Sequence, residues 1–196
     1  MKGGSIVDDY DIRHWVSMGT YYNRICIPIK DLDGNIVNFM WRAIEDHQKP
    51  KYLFLSHTEC PAMKGEFMFL NNRVINTTKP VDDLFVVEGA FDAIYLDSIG
   101  LNAVSCLGTI ISGKQFDKIN KIAKKIHLFF DNDDAGVNGA RSQYEKLKPY
   151  TNDIEIFFPY DKCEDYRSIE CNTPNPKNPW EVPEEIIKEC FRPYSY

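Results

Sequence analysis

Two patterns of apolar residues divide the chain near residue 80. Before that point the apolar positions are interrupted by polar ones. Arg24-Ile25-Cys26-Ile27-Pro28-Ile29 reads as a strand, Asp31-Leu32-Asp33-Gly34-Asn35 as a tight turn, and Ile36-Val37-Asn38-Phe39-Met40-Trp41-Arg42 as the return strand of a hairpin. Pro28 has no N–H to donate, which predicts an edge position or a bulge in the first strand. Upstream, Asp9 to Gly19 reads as a short helix stopped by the glycine. Downstream, residues 43–80 are irregular apart from one strand, Glu66-Phe67-Met68-Phe69-Leu70.

After residue 80 the apolar runs become continuous and alternate with helical stretches, the mark of a parallel sheet buried on both faces. Leu84-Phe85-Val86-Val87 is a strand, and Ala90 to Ser98 a helix with Phe91, Ile94 and Tyr95 facing inward. Ala103-Val104-Ser105-Cys106-Leu107 is the next strand, followed by a helix capped by Ser112 and running through Lys121. Ile126-His127-Leu128-Phe129-Phe130 is the third strand, Gly136 to Leu147 the third helix, and Ile154 to Phe158 the fourth strand. Residues 172–183 hold four prolines and read as an extended arm, with a final short helix over Glu184 to Phe191. The expected organisation is therefore an N-terminal subdomain over 1–80, an α/β domain over 81–168 and a C-terminal arm over 169–196.

The strand ends carry the candidate chemistry. Glu88 closes one strand, and Asp92 follows one helical turn later. Asp131-Asn132-Asp133-Asp134-Ala135-Gly136 closes another, and on an extended backbone Asp131 and Asp133 would face one side. All carboxyl ends of a parallel sheet lie on one edge, so these acids collect at one rim, where open α/β sheets place their ligands. No Lys or Arg stands within either cluster, and a divalent cation would supply the missing charge. Hard oxygen ligands suit Mg²⁺ or Mn²⁺ better than Zn²⁺. Taken one at a time, the clusters also read as a helix N-terminus with its favourable acid and a solvated acidic turn. Gly108 and Gly136 sit at the same rim, where a glycine lets backbone approach a ligand.

Composition refines this picture. Of 196 residues 43% are hydrophobic and 13% aromatic, enough for a packed core and against disorder. No apolar run approaches a membrane span and the N-terminus lacks a signal core, so a cytoplasmic chain without a membrane partner is expected. Six cysteines include no Cys-x-x-Cys pair, which argues against a zinc site in this chain. The net charge of −6 is unevenly spread: residues 1–80 carry 10 Lys+Arg against 9 Asp+Glu, and residues 81–196 carry 13 against 20. A near-neutral half with placed bases (Arg24, Arg42, Lys51, Lys64) beside an acidic half suits phosphate contact as well as it suits ordinary surface charge.

Val86 to Asp92, then Leu107-Gly108-Thr109, then Asp131 to Gly136 resemble a TOPRIM domain, in the version found in bacterial and phage primases of the DnaG type. Arg24 through Asp31, Gly34, Arg42, Lys51-Tyr52-Leu53 and Lys64-Gly65 resemble the N-terminal subdomain of that family's RNA polymerase core. The resemblance runs from about residue 20 to 168. It implies a central, mostly parallel sheet flanked by helices and preceded by a smaller α+β subdomain. It also implies synthesis of short RNA primers on single-stranded DNA from ribonucleoside triphosphates, helped by Mg²⁺ or Mn²⁺. In that scheme Glu88, Asp131 and Asp133 are catalytic, and Glu88, Asp92, Asp131, Asp133 and Asp165 hold metal. Arg24, Arg42, Lys51, Tyr52, Lys64 and Gly108 hold nucleotide or template. Two positions depart from the family pattern: Cys163 stands where an Asp is common, and Phe54 where Asn is frequent. The family's zinc-binding domain is expected on a separate partner, and a replicative helicase is a further partner. The same acids could instead serve a metal-dependent nuclease acting with water, or a non-catalytic nucleic-acid or replisome-binding module.

Overall fold

A computed structural model describes residues 10–15, 19–56, 58–60, 65–75, 77–151, 153–164 and 176–191. The described residues form two sheets. In the first, β1 (Arg13–Trp15), β2 (Arg24–Lys30), β3 (Ile36–Ala43) and β4 (Tyr52–Phe54) run antiparallel in that order. The stretch expected to be helical near Asp9 to Gly19 contains β1 instead. Its three residues pair with Arg24 to Cys26, so β2 supplies hydrogen bonds that a lone short helix would have lacked. β1 reaches no further than Cys26, which leaves Pro28 without a partner on that side and makes its missing N–H harmless. Asp31 closes the β2–β3 turn by accepting from the Asp33 and Asn35 N–H groups, and Gly34 takes a positive φ of 83°. Before Val81 the described residues form strands and turns only.

The second sheet has the order β5-β7-β6-β8-β9, with β5 (Phe69–Leu70), β6 (Val81–Val87), β7 (Ala103–Ser105), β8 (Ala123–Leu128) and β9 (Ile154–Ile156). β7, β6, β8 and β9 are parallel, while β5 adds an antiparallel edge. β5 belongs by sequence to the first 80 residues, yet it extends the parallel sheet. The helices between the parallel strands are α1 (Ala90–Ser98), α2 (Gly113–Ile122) and α3 (Asp134–Leu147), and α4 (Glu184–Cys190) follows later.

Alternate residues of the central strands feed two cores. Phe85, Val87 and Phe129 face the first sheet, α1 and α4, where they meet Ile27, Ile29, Met40, Ala93 and Ile186. Leu84, Val86, Ile126 and Leu128 face α2 and α3, where they meet Phe116, Ile119, Ala140 and Leu147. α1 buries Ala90, Ala93, Ile94 and Leu96, whereas Phe91 and Tyr95 are only partly buried. This division has a consequence for function. The connection leaving β6 turns to one face, and the one leaving β8 turns to the other. A crevice opens at their carboxyl ends, between the acids and the first sheet.

Candidate active site

The crevice holds a cavity of about 350 Å³. One wall carries Glu88, Gly89, Phe91, Asp92 and Asp131, with Leu107 and Gly108 beside them. The facing wall carries Arg42, Lys51 and Tyr52 from the antiparallel sheet. Two halves with opposite charge therefore meet across one space.

Backbone N–H groups hold Asp92, Glu88 and Asp133. Asp92 is buried in the first turn of α1 and accepts from the Gly89 N–H at 3.1 Å, a helix-start bond that also suits the helix dipole. Its other oxygen accepts from the Trp180 N–H at 3.4 Å. Glu88 Oε1 accepts from the Asp131 N–H at 3.0 Å, tying the ends of β6 and β8 together. Asp133 caps α3 by accepting from the Gly136 N–H at 2.8 Å. A Cβ on Gly136 would overlap the Asp131 carbonyl oxygen and lie 2.7 Å from Glu88 Oε1, so only glycine lets the helix start this close.

Asp131 and Asp133 do not extend a strand together. β8 ends at Leu128, and the acids lie in the loop beyond it, where two-residue alternation no longer applies. Asp131 lines the cavity, while Asp133 turns to its own helix. The pattern Asp133-Asp134-Ala135-Gly136 carried that capping signal in the sequence.

Electrostatically the acidic wall is under load. Burial pushes the Asp92 carboxyl up to about 7 against three backbone hydrogen bonds, with Glu88 adding repulsion. Asp131 is pushed up to about 8, by burial first and then by the charges of Asp92, Glu88 and Asp133. Glu88 is raised by burial and by Asp133, partly offset by its bond from the Asp131 N–H. Asp131 Oδ1 is buried without a hydrogen-bond partner. No described residue forms an ion pair with Glu88, Asp92 or Asp131. An orphaned carboxylate oxygen among unpaired acids fits a hard divalent cation. As they stand, no three His, Cys, Asp or Glu side chains among the described residues converge on one point.

The basic wall is already satisfied. Arg42 lies opposite Tyr52 on neighbouring strands and donates to its hydroxyl at 3.1 Å. Its guanidinium also sits 4.5 Å from the Phe91 ring centre, a cation–π contact that joins the first sheet to α1. Burial raises the Tyr52 hydroxyl, with Arg42 opposing and Asp92 and Asp131 adding to the rise, so it stays a donor. Lys51 Nζ lies 5.8 Å from the Tyr52 ring centre and is otherwise open to solvent.

Arg24 is placed elsewhere. Register pairs Ile25 with Arg42, so Arg24 and Arg42 point to opposite faces of the hairpin. Arg24 is buried and donates to the carbonyls of Pro50, at 2.9 Å, and Lys51, at 3.5 Å. It fixes the backbone that presents Lys51. Lys64 and Asp165 lie outside the described residues.

Two cavity residues, Asn178 and Trp180, had no signal beyond an unusual Trp inside a proline-rich arm. That arm folds back over the acids. The Asn132 N–H donates to the Lys177 carbonyl at 2.6 Å and its side chain to the Pro176 carbonyl at 3.2 Å. Tyr95 Oη donates to the Val182 carbonyl at 2.7 Å.

An open α/β sheet with acids at its carboxyl edge, faced by a small antiparallel sheet bearing cations, is the architecture of a TOPRIM domain preceded by a smaller subdomain. Comparison with known proteins agrees: residues 85–168 match the family described as Toprim-like, and residues 11–74 match the DNA primase catalytic core, N-terminal domain. Residues 11–74 and 85–168 are thus similar, in order, to the two parts of a DnaG-type DNA primase catalytic core. The chain is 35% identical over 133 residues to the DNA primase of Legionella pneumophila, covering 67% of this chain and 23% of that one. It is similar to the solved structure of a DNA primase domain from Pseudomonas aeruginosa, at 29% identity and a TM-score of 0.57, over 74% of this chain and 46% of that one. It is also similar to a DnaG primase catalytic domain solved with single-stranded DNA, at 28% identity and a TM-score of 0.55, over 65% and 41% of the two chains. The chain thus spans about a quarter of the length of the curated primase it matches and under half of these solved ones.

Proposed function

We propose that this chain is the catalytic core of a DNA primase, joining ribonucleotides into short RNA primers on a single-stranded DNA template. The observation that carries this reading is the facing of Glu88, Asp92 and Asp131 against Arg42, Lys51 and Tyr52 across one cavity. A triphosphate needs both walls. Arg42 and Tyr52, locked together by their hydrogen bond, present donors to phosphate oxygens, and Lys51 adds a mobile point charge. Glu88, Asp92 and Asp131 would hold Mg²⁺ or Mn²⁺, which supplies charge neutralisation at the transferring phosphate and activation of the attacking 3′-hydroxyl. Glu88 has one oxygen on the Asp131 N–H, and its raised pKa suits it to take the hydroxyl proton on the other. Asp133 stands behind them, orienting α3 and adding negative potential. Gly108 borders the cavity where backbone can approach a ligand.

The relative solved with single-stranded DNA supports a template of the same kind here. A zinc-binding domain and a replicative helicase complete the proposed set of partners, in a bacterial or phage-infected cytoplasm. Among the described residues no helix is long and apolar enough to cross a membrane. The test is incorporation of labelled ribonucleotides on single-stranded DNA with Mg²⁺ or Mn²⁺, with helicase and zinc-domain protein added and omitted. Primers of defined length are the expected product. Template cleavage without synthesis would replace this reading with a nuclease.

A further inference from the structure

The arm over the acidic rim brings an aromatic side chain to the cavity that the reaction above leaves unused. Among the aromatic residues lining the cavity, Tyr52 already has Arg42 and Lys51 over its ring, and Phe91 has Arg42 at 4.5 Å. Phe54 packs on Phe67, ring centres 5.9 Å apart. Trp180 has no ring or cation partner among the described residues and keeps 51% of its surface exposed. Large aromatic surface left open beside a polar cavity is unusual, because burying it elsewhere would stabilise the fold.

Its position is fixed from several sides. Its own N–H is bonded to Asp92, and Pro179 next to it is buried. Glu181 accepts from the Lys177 N–H at 2.7 Å and from the Asn178 side chain at 2.8 Å, closing the turn that carries the indole. Asn132, between the two acids of the loop, anchors the start of the arm, and Tyr95 anchors its end. The backbone at Trp180 is therefore tied directly to Asp92 and, through Lys177, to the neighbour of Asp131.

We infer that Trp180 is a stacking platform for the nucleobase of the incoming ribonucleotide, and that Asn132 positions it by holding the arm. The inference rests on the primase reading for the identity of the ligand. With the triphosphate between the acids and Arg42, the base needs a flat apolar surface at the cavity mouth. Trp180 is the lining aromatic not already covered by a cation or another ring. Stacking accepts any base, as a primase copying varied template must.

The experiment uses the full chain with ATP and Mg²⁺ in two assays. Equilibrium dialysis with labelled ATP reads binding without synthesis, and tryptophan fluorescence reads stacking. Wild-type fluorescence should be quenched with saturation, and Trp180→Phe should lose that quenching while binding ATP within about threefold of wild type. Trp180→Ala should bind about tenfold more weakly, and in priming its KM for ribonucleotide should rise with kcat within about twofold. Asn132→Ala should show the same KM-led loss to a smaller degree. Equal thermal melting of the Trp180 variants checks folding, which an exposed side chain should not disturb. ATP binding by Trp180→Ala equal to wild type, or quenching that persists in Trp180→Phe, overturns the inference. If ATP binds and quenches but no primer forms, the stacking site stands and the primase reading falls. If primers form and Trp180→Ala changes neither KM nor binding, only the stacking site falls.

Discussion

The two walls of the cavity hold charges in opposite ways. In the antiparallel sheet each cation lining the cavity has a partner: Arg42 has Tyr52 and Phe91, and Lys51 has the Tyr52 ring. At the parallel sheet's edge three acids share one rim, Glu88 and Asp92 accept only from backbone N–H groups, Asp131 Oδ1 has no donor, and burial and mutual repulsion push Asp92 and Asp131 up to about 7 and about 8. The first wall is stable as it stands. The second stores repulsion that a bound cation would relieve. A fold can keep such a wall because its surroundings are strong: Val86, Val87, Leu128 and Phe129, just behind the acids, are fully buried between two cores.

The sharpest way to break this contrast is Asp131→Asn. Removing the carboxylate should lower primer synthesis by about 10²–10³-fold, and without metal at a pH above 8, where Asp131 is charged, it should raise Tm by about 2–4 °C. Activity assays and thermal scans in the presence of a chelator check both signs. Loss of activity together with a lower Tm would mean that the carboxylate stabilises the fold. Gly136→Ala acts on the same wall through shape. The added methyl must displace the Asp131 carbonyl or Glu88, so synthesis should drop by about tenfold to a hundredfold and stability by about 1–3 kcal/mol. Urea unfolding beside the priming assay separates the two losses.

On the satisfied wall, Lys51→Ala should leave Tm unchanged within about 1 °C and weaken single-stranded DNA or nucleotide binding by about tenfold, reducing the salt slope by about 1. Fluorescence anisotropy over a series of salt concentrations reads this. The smallest effect is on pH. Asp92 and Asp131 titrate higher in the folded chain than their usual 3.8, so the folded state keeps protons that the unfolded state has lost. Their contribution to stability is therefore fully present below about pH 4 and is lost as pH rises through about 7 and 8. Without divalent ions, urea midpoints should fall between pH 5 and pH 8, and saturating Mg²⁺ should flatten the decline. A midpoint that rises over this range would show that the acids are not loaded as described.

Several features could be read along the chain because they depend on neighbours in sequence. The continuous apolar runs marked β6 and β8, Ser112 marked the start of α2 by capping Gln115, and Asp31 to Asn35 marked the hairpin turn. Near Arg13 local propensity misled, because β2 recruited the segment into a sheet that only the folded chain offers. Arg24 and Arg42 looked equivalent as hairpin cations, but a register set by long-range pairing sent them to opposite faces. The arm carrying Trp180 looked like a linker because its bonds to Asn132 and Tyr95 span 44 and 87 residues of sequence.

The sequence by itself determined which strands end in acids and that those ends share one edge, since a parallel sheet admits no other arrangement. Only the tertiary structure decided which acids look into the cavity, which cation serves a carbonyl instead, and what lies across the rim. Those choices turn on hydrogen bonds and packing between distant segments, and periodicity along a chain carries no record of them.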